Sequence, residues 1–402
     1  MGDTFTPYWG DFLVSPVPIE LSFNYCSHSC QYCFANLNRP DRRADIKATM
    51  NLLAEYQERE TYIARLLQEK YPVLVSNRVD PFAGSNWRQS LPIFEMMHGL
   101  GIPFTIQTKG GRGIEEVLDY CPPTVWYLSI ALLDDRKRAL IELGAPTIQS
   151  RLDLIGKLRE KGHEVVIGVN PCVSEWLPET EAQILLEEFR ERGVWGVWCQ
   201  LIHLNHKQVA GISEKGKLAM GEDVLRACAK RQVTPDRVER LEYFREMVTG
   251  MGMEVYTVTQ GNRSYFFEPF KRLYPKLFPT IQDFINRCYE LNLPDYSLIS
   301  FGDFADFILP YLPGGTNRIG DYLKVGIKSQ TTYREVSDTR YHTFRNLLKI
   351  GWLEQTCDWN LTQFWCFSYA TYDGKVIVDD DEGLPMVLFR RSRFEELYFE
   401  LG

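Results

Sequence analysis

The sequence predicts an α/β fold: a partial (β/α)6 barrel of TIM type with an appended α+β C-terminal domain. Three observations predict it. Short apolar runs alternate with helical stretches six times between residues 19 and 201. That alternation implies parallel strands joined by right-handed crossovers. Glycines 101, 162 and 193 follow the predicted helices, where a C-terminal stop is expected. From about Asn262 the alternation gives way to an aromatic-rich stretch with helical periodicity. The expected domains are therefore residues 1–260 and 261–402.

The elements follow in order. Ile19–Phe23 reads as the first strand, and Ala48–Glu69 as a long helix. Val73–Ser76 is the second strand, Leu91–Leu100 a helix, and Phe104–Gln107 the third strand. Gly113–Tyr120 is a short helix, Val125–Ala131 the fourth strand and Ile148–Lys161 a helix. Val165–Val169, the helix Pro178–Arg192 and Val194–Leu201 complete the six units. Helices dominate from Gly221 to Thr249, and Met253–Val258 is a further strand able to extend the sheet. Thr343–Gly351 reads as a helix. Phe364–Tyr372 and Lys375–Val378 read as two strands joined at Asp373-Gly374. A helix followed by a hairpin is the outline of a winged helix, a common nucleic-acid reader.

Composition bounds the class. The chain has 402 residues, is 45% hydrophobic and carries a formal charge of −8. It holds no apolar run of about eighteen residues, so no transmembrane helix is expected. The N-terminus lacks a basic-then-apolar signal, and Gly2 does not read as a myristoylation site. The expected location is the cytoplasm, with no membrane partner. Acidity excludes general attraction to nucleic acid, so such a role would need a local basic patch. Arg39, Arg42 and Arg43 form one basic cluster, and Arg390, Arg391 and Arg393 another. Asp379–Glu382 follows the hairpin directly, and carboxylates repel phosphates.

The chemistry sits after strand one. Cys26, Cys30 and Cys33 stand at C-x3-C-x2-C spacing in one short stretch. Three thiolates on one loop can hold three irons of a 4Fe–4S cluster and leave the fourth iron open. Structural zinc is the competing occupant, but it takes four ligands, usually in paired sets. Here no second cysteine pair follows, and His28 is crowded inside the same loop. The other seven cysteines are scattered, as reduced thiols in the cytoplasm would be.

The spacing is similar to that of radical S-adenosylmethionine (SAM) enzymes, and the resemblance continues along the chain. Tyr32-Cys-Phe-Ala35 with Arg39 resembles the Y-C-F-A-R segment of the spore photoproduct lyase-like branch. Val79-Asp80-Pro81-Phe82 is similar to its T-D-P-Y, Gln107-Thr108-Lys109 to its Q-T-K, and Ser129-Ile130 to its S-I. Glu142 to Thr147, then Arg151-Leu152, is similar to its E-P-G-A-P…R-L stretch. The match runs in order over about residues 18–175. It implies the radical SAM barrel core, a 4Fe–4S cluster on Cys26, Cys30 and Cys33, and SAM on the open iron.

The resemblance also implies roles. Tyr32 would lie near the SAM adenine, and Asp80 would meet the SAM ammonium. Ser76 and Asn77 would add polar partners there. Lys109 and Arg151 would hold the SAM carboxylate, Arg bidentately. Ser129 and Asn170 would reach the ribose or methionine. The photoproduct lyases carry a hydrogen-returning cysteine beside strand two, whereas this chain has Val75-Ser-Asn-Arg-Val-Asp80. That departure speaks against photoproduct repair itself. Cys172 and Cys199, near the ends of strands five and six, are the alternative hydrogen-atom donors, with Tyr25, Tyr8 and Tyr127 behind them. A small buried hydrophobe is the plainer reading of both cysteines.

Two more constellations are readable. Thr108-Lys-Gly-Gly-Arg-Gly113 resembles a glycine-rich anion loop before a helix. His203 and His206 place two imidazoles past strand six. The expected activity is hydrogen abstraction from a nucleic-acid base, a thymine or modified thymine in DNA, with modification or isomerisation as outcome. The alternatives are a radical SAM enzyme acting on a peptide or small molecule, and a non-catalytic metal protein. A flavodoxin or ferredoxin is the expected electron donor.

Overall fold

A computed structural model of the chain describes residues 5–7, 16–23, 25–33, 35, 45–202, 204–229, 235–256, 268–312, 325–328, 333–336, 344–355, 360–364, 366–372, 375–376 and 378–392. Tyr8, Arg39, Arg42, Arg43, His203, Arg340, Arg393 and the Asp373-Gly374 turn lie outside the described residues.

The barrel strands are β1 (Phe5–Pro7), β2 (Ile19–Leu21), β3 (Val73–Val75), β4 (Phe104–Thr108), β5 (Val125–Ser129), β6 (Glu164–Val169), β7 (Gly196–Cys199) and β8 (Glu254–Tyr256). They form one sheet in sequence order. Strands β2 to β8 are parallel, and β1 runs antiparallel to β2. Sequential parallel order with helical crossovers makes a partial (β/α) barrel. The strand that the sequence allowed as an extension is in the sheet, so seven parallel strands are present, one more than expected.

The helices between them are α1 (Ile46–Glu55), α2 (Tyr62–Gln68), α3 (Trp87–Gly99), α4 (Ile114–Tyr120), α5 (Asp135–Ile141), α6 (Ile148–Glu160), α7 (Glu179–Glu191), α8 (His206–Ala210), α9 (Glu214–Met220), α10 (Glu222–Ala229) and α11 (Pro235–Gly250). The single helix expected over 48–69 is two. Thr61 takes an extended backbone, and its hydroxyl accepts from Ala64 N at 3.3 Å, which starts a new helix. Helices α5, α8 and α9 were not foreseen. Each is seven residues or shorter and opens on a cap, Asp134, Asn205 or Ser213. Such short elements carry little periodicity to read.

Each strand alternates between two faces. Ile19, Val73, Ile106, Trp126, Ile167 and Val197 belong to the large core shared with the helices. Val125, Val166 and Tyr256 face the opposite side, where Phe270 and Tyr274 pack. Those two aromatics come from α12 (Glu268–Leu273) and the turn after it. Tyr274 Oη donates to Phe104 O at 2.9 Å and accepts from Val125 N at 3.3 Å. This plugs the barrel where β4 and β5 begin and leaves their C-terminal ends as the working end.

The remaining elements are α13 (Ile281–Glu290), β9 (Ser297–Ile299), α14 (Phe301–Ile308), the antiparallel pair β10 (Val325–Lys328) and β11 (Tyr333–Val336), α15 (Phe344–Leu353), β12 (Phe367–Tyr369), β13 (Thr371–Tyr372), β14 (Lys375–Val376) and β15 (Val387–Phe389). Strand β15 lies between β12 and β9, antiparallel to both. The strand expected over 364–372 changes partner at buried Ala370, whose N–H donates to Met386 O at 3.2 Å. Beyond it, β13 and β14 form the expected hairpin. No described helix is long and apolar enough to cross a membrane.

Candidate active site

Strand β2 delivers the cysteine loop to the working end. The loop holds itself by two tight turns, Ser29 N to Cys26 O at 3.4 Å and Cys33 N to Cys30 O at 3.1 Å. Two neighbouring segments clamp it. After α5, Cys30 bridges Glu142, Gln31 N donates to Ile141 O at 2.8 Å, and Gly144 N donates to His28 O at 2.8 Å. A Cβ on Gly144 would stand 2.2 Å from Ser27 O, so only glycine admits this approach. Before α3, Ser27 and Ser85 exchange hydrogen bonds of 3.1 and 3.0 Å, and Asn86 Nδ2 donates to Tyr25 O at 2.9 Å.

Cys26 and Cys30 are buried, and Cys33 is half-buried. Burial, with the Asp80 carboxylate nearby, pushes the Cys26 thiol up to about 12. Burial likewise holds Cys30 well above the ordinary thiol range, with Glu142, Cys33 and Cys26 adding to it and Lys109 opposing. The three sulfurs therefore sit within electrostatic reach of one another. Among the described residues no group of three His, Cys, Asp or Glu side chains is gathered as one metal ion requires. Three cysteine side chains on one loop are a donor set that fits a 4Fe–4S cluster.

Beside the loop lies a buried charge network centred on Glu142. Arg151 Nη2 reaches Glu142 Oε2 at 2.5 Å, and both side chains are fully buried. Lys109 Nζ lies 3.2 Å from Glu142 Oε1, to which Tyr32 Oη also donates. Burial works against the Glu142 carboxylate, but Arg151, Lys109 and the Tyr32 hydrogen bond overcome it and hold its pKa down at about 2. Lys109 Nζ also donates to Ser129 Oγ at 2.5 Å and stands 5.5 Å from the Tyr32 ring centre. The Tyr32 ring packs on Trp176 at 5.6 Å.

A second network centres on Asp80. His28 Nε2 lies 3.1 Å from Asp80 Oδ2, which also accepts Lys109 N at 2.6 Å. Asp80 Oδ1 accepts Phe82 N at 2.9 Å and the Thr108 hydroxyl at 2.8 Å. Burial would raise the Asp80 pKa, but His28 and these hydrogen bonds hold it below the usual carboxylate range. Burial likewise opposes a charged imidazole at His28, and Asp80 outweighs it, lifting the His28 pKa.

The structure thus gathers Tyr32, Lys109, Ser129 and Arg151 in one place, and Asp80 beside them. Their occupations differ from the sequence expectation. Arg151 spends its guanidinium on Glu142, Ser129 O at 3.0 Å and Pro146 O at 3.1 Å. Asp80 ties three segments together. Ser76 Oγ closes its own turn with Val79, donating at 2.8 Å and accepting at 3.0 Å. Asn77 N donates to Glu20 Oε1 at 3.1 Å. The Thr108–Gly113 loop has already committed the N–H groups of Lys109, Gly110 and Arg112, the last two to Thr108 Oγ1 and Phe82 O. Lys109 remains the cation presented at the working end, 15% exposed.

The donor candidates separate by face. Tyr25 is 50% exposed, and its hydroxyl pairs with Ser29 Oγ. Cys199 shares the helix-facing core with Val197, and its carbonyl accepts from Arg245 on α11 at 3.4 Å. Cys172 lies near it, its N–H donating to Gln200 O at 2.6 Å, and burial and then Cys199 push its thiol far up. Tyr127 instead lies on the opposite face of β5, hydrogen-bonded to Asn170. A Cβ on Gly168 would stand 1.9 Å from Tyr127 Oη, so that glycine makes the space for the phenol. Sequence reasoning gave no role to Glu142 or Trp176 and weighed His28 only as a crowded zinc ligand. The signal for Glu142 was a carboxylate inside the Gly-Ala-Pro stretch, next to two cationic candidates.

No family model matches the chain. An uncharacterised protein of Acidianus two-tailed virus is 27% identical over 139 residues, 33% of this chain and 46% of the relative. An uncharacterised protein of Mycobacterium tuberculosis is 26% identical over 198 residues, 44% of this chain and 56% of the relative. The chain thus spans about half the length of the curated relatives it matches. Among solved structures, Streptococcus suis SuiB bound to precursor peptide SuiA aligns with TM-score 0.40 and 18% identity, over 66% of this chain and 53% of that one. Spore photoproduct lyase complexed with dinucleoside spore photoproduct aligns with TM-score 0.37 and 13% identity, over 57% of this chain and 72% of that one.

Proposed function

We propose that this chain is a radical SAM enzyme, with the cysteine loop of β2 as its cluster site. The observation that carries the reading is the three-cysteine loop at the working end of a parallel barrel, clamped beside the Lys109–Glu142–Arg151–Tyr32 network. When bound, a reduced 4Fe–4S cluster would give one electron to SAM, whose cleavage to methionine supplies a 5′-deoxyadenosyl radical able to take a hydrogen atom from an unactivated carbon. Cys26, Cys30 and Cys33 would each hold one iron as a thiolate, releasing their protons to solvent as it binds. Lys109 is the cation placed to meet the SAM carboxylate, with Ser129 beside it. Glu142 and Arg151 position Lys109 and Tyr32 from beneath. Tyr127, buried, set against Gly168 and hydrogen-bonded to Asn170, is the preferred hydrogen-atom donor of this reading. Cys199 lies on the same side of β7 as Val197, and Cys172 is buried near it.

The test is anaerobic reconstitution with iron and sulfide, then dithionite and SAM, with 5′-deoxyadenosine followed by chromatography. Slow release that needs all three cysteines is the expected result. Stoichiometric zinc, no cluster absorbance and no deoxyadenosine would leave a structural metal protein. Flavodoxin or ferredoxin should replace dithionite.

The resemblance carries a nucleic-acid base over as substrate. One observation favours the second reading, a peptide or small molecule. The exposed cations on α15 are already paired, Arg345 with Glu382 through two contacts and Lys349 with Glu382 at 3.9 Å. Arg390 and Arg391 lie over the rings of Tyr296 and Tyr289 at 5.2 and 4.2 Å. Cations so committed have little left for phosphates. Retention on duplex DNA that falls steeply with salt would restore the nucleic-acid reading.

A further inference from the structure

Beyond the barrel, the order α13, β9, α14, α15, β12, β15, with β15 between the other two strands, is the connectivity of a winged helix. Its nucleic-acid-reading helix would be α15, whose exposed cations Arg345 and Lys349 share one partner, Glu382. The other side of the unit is apolar. A groove of about 640 Å³ runs between α13, β9 and α14, lined by Phe284, Leu291, Leu298, Phe307, Tyr311 and Arg287. That volume suits a ligand site. Three of these apolar side chains stand in solvent: Leu291 at 59%, Leu298 at 43% and Tyr311 at 40%. Exposed apolar residues gathered on one face mark contact surfaces.

Two features say what fits there. Strand β9, three residues long, is an edge of its sheet; no described strand pairs with its outer side, and Ser297 N–H is held by Pro294 O at 3.2 Å. An open edge offers unpaired N–H and C=O groups in register for one more strand. The groove carries charge of both signs, Asp303 and Asp306 against Arg287. Asp303 is committed as the cap of α14, accepting Ser300 N at 2.9 Å and the Ser300 hydroxyl at 2.7 Å. Asp306 is a second carboxylate in the groove lining. Arg287, in contrast, makes no ion pair or side-chain hydrogen bond with any described residue and only lies 5.7 Å from the Phe307 ring centre.

We propose that this groove receives an extended peptide segment of a partner protein, which adds as a strand to the free edge of β9, seats apolar side chains on Phe284, Leu298 and Phe307, and gives a carboxylate to Arg287. The proposal rests on the peptide reading above and deepens it: the unit is a docking module that brings a peptide to the barrel.

The test uses the full chain without cluster or SAM, so its failure is separate from failure of the radical chemistry. A positional-scanning array of ten-residue peptides is probed with the labelled chain. Enrichment of alternating apolar residues with Asp or Glu at one position is the expected result. The best peptide, titrated in solution, should bind Arg287→Glu about tenfold more weakly. Replacing its acidic residue with Lys should recover binding to that variant. Leu298→Lys should weaken binding with the melting temperature unchanged. An array without enrichment, enrichment that Arg287→Glu leaves unaltered, competition of the peptide by a short DNA duplex, or a homodimer abolished by Leu298→Lys would each overturn the proposal.

Discussion

Glu142 carries three partners on two oxygens, in a position where water cannot replace any of them. Replacing it with Gln leaves the Arg151 guanidinium buried without its counter-charge, which should cost about 3–5 kcal/mol in a denaturant titration. The double variant Glu142→Gln, Arg151→Met should lose less than the two single losses summed. Acid should show the same bond. A folded-state pKa of about 2 against an ordinary 4.5 means that the stabilisation is complete above the ordinary carboxylate range. It then drains away as pH falls towards 2, on the order of 3 kcal/mol in all. Stability of the wild type should therefore fall faster than that of Glu142→Gln between those limits; parallel curves would contradict the network. The cysteines were legible because their spacing is local and their chemistry leaves few occupants. Glu142 was not, because Tyr32 and Lys109 reach it across 110 and 33 residues of chain (142 − 32 and 142 − 109), and no local pattern records such a meeting.

The cysteine loop is an element made by its neighbours. Gly144 and Ser85 hold it from two sides, and Asp80 ties His28 to the end of β4. Gly144→Ala would drive a Cβ against Ser27 O, so the loop must move while the barrel strands need not. The expected outcome is a severalfold loss of iron bound per chain after reconstitution, with far-ultraviolet circular dichroism unchanged. Gly168→Ala meets a different neighbour, the Tyr127 phenol, and should cost about 1–3 kcal/mol by overpacking. It should spare iron binding, so comparing the two variants separates loop from barrel. The strands were readable because parallel strands buried on both faces are short continuous apolar runs. The break between α1 and α2 was not, since α1 ends at Glu55 without a glycine or proline and only Thr61 marks where the next helix starts.

At the scale of the molecule, the expected boundary at residue 260 divides the sequence but not the packing. Phe270 and Tyr274 belong to the barrel's own plug. Phe344 of α15 packs on Tyr62 of α2 at 6.3 Å and on Phe278 at 6.2 Å, and Tyr71 donates from the barrel to Tyr311 O at 2.5 Å. One apolar core runs through both parts. Calorimetry should therefore record one transition for the wild type. Phe344→Ala, at about 3–5 kcal/mol, should split it in two; a single transition shifted as a whole would contradict this seam. The clamps on the cysteine loop have an outcome for the life of the protein. A zinc finger gains its fold from its metal and loses it on chelation. Here the loop is shaped by serine, asparagine and backbone bonds that need no iron. If it holds the proposed cluster, a chain stripped by oxygen would stay folded and could be charged again, which would make the cluster a consumable and the protein its reusable holder.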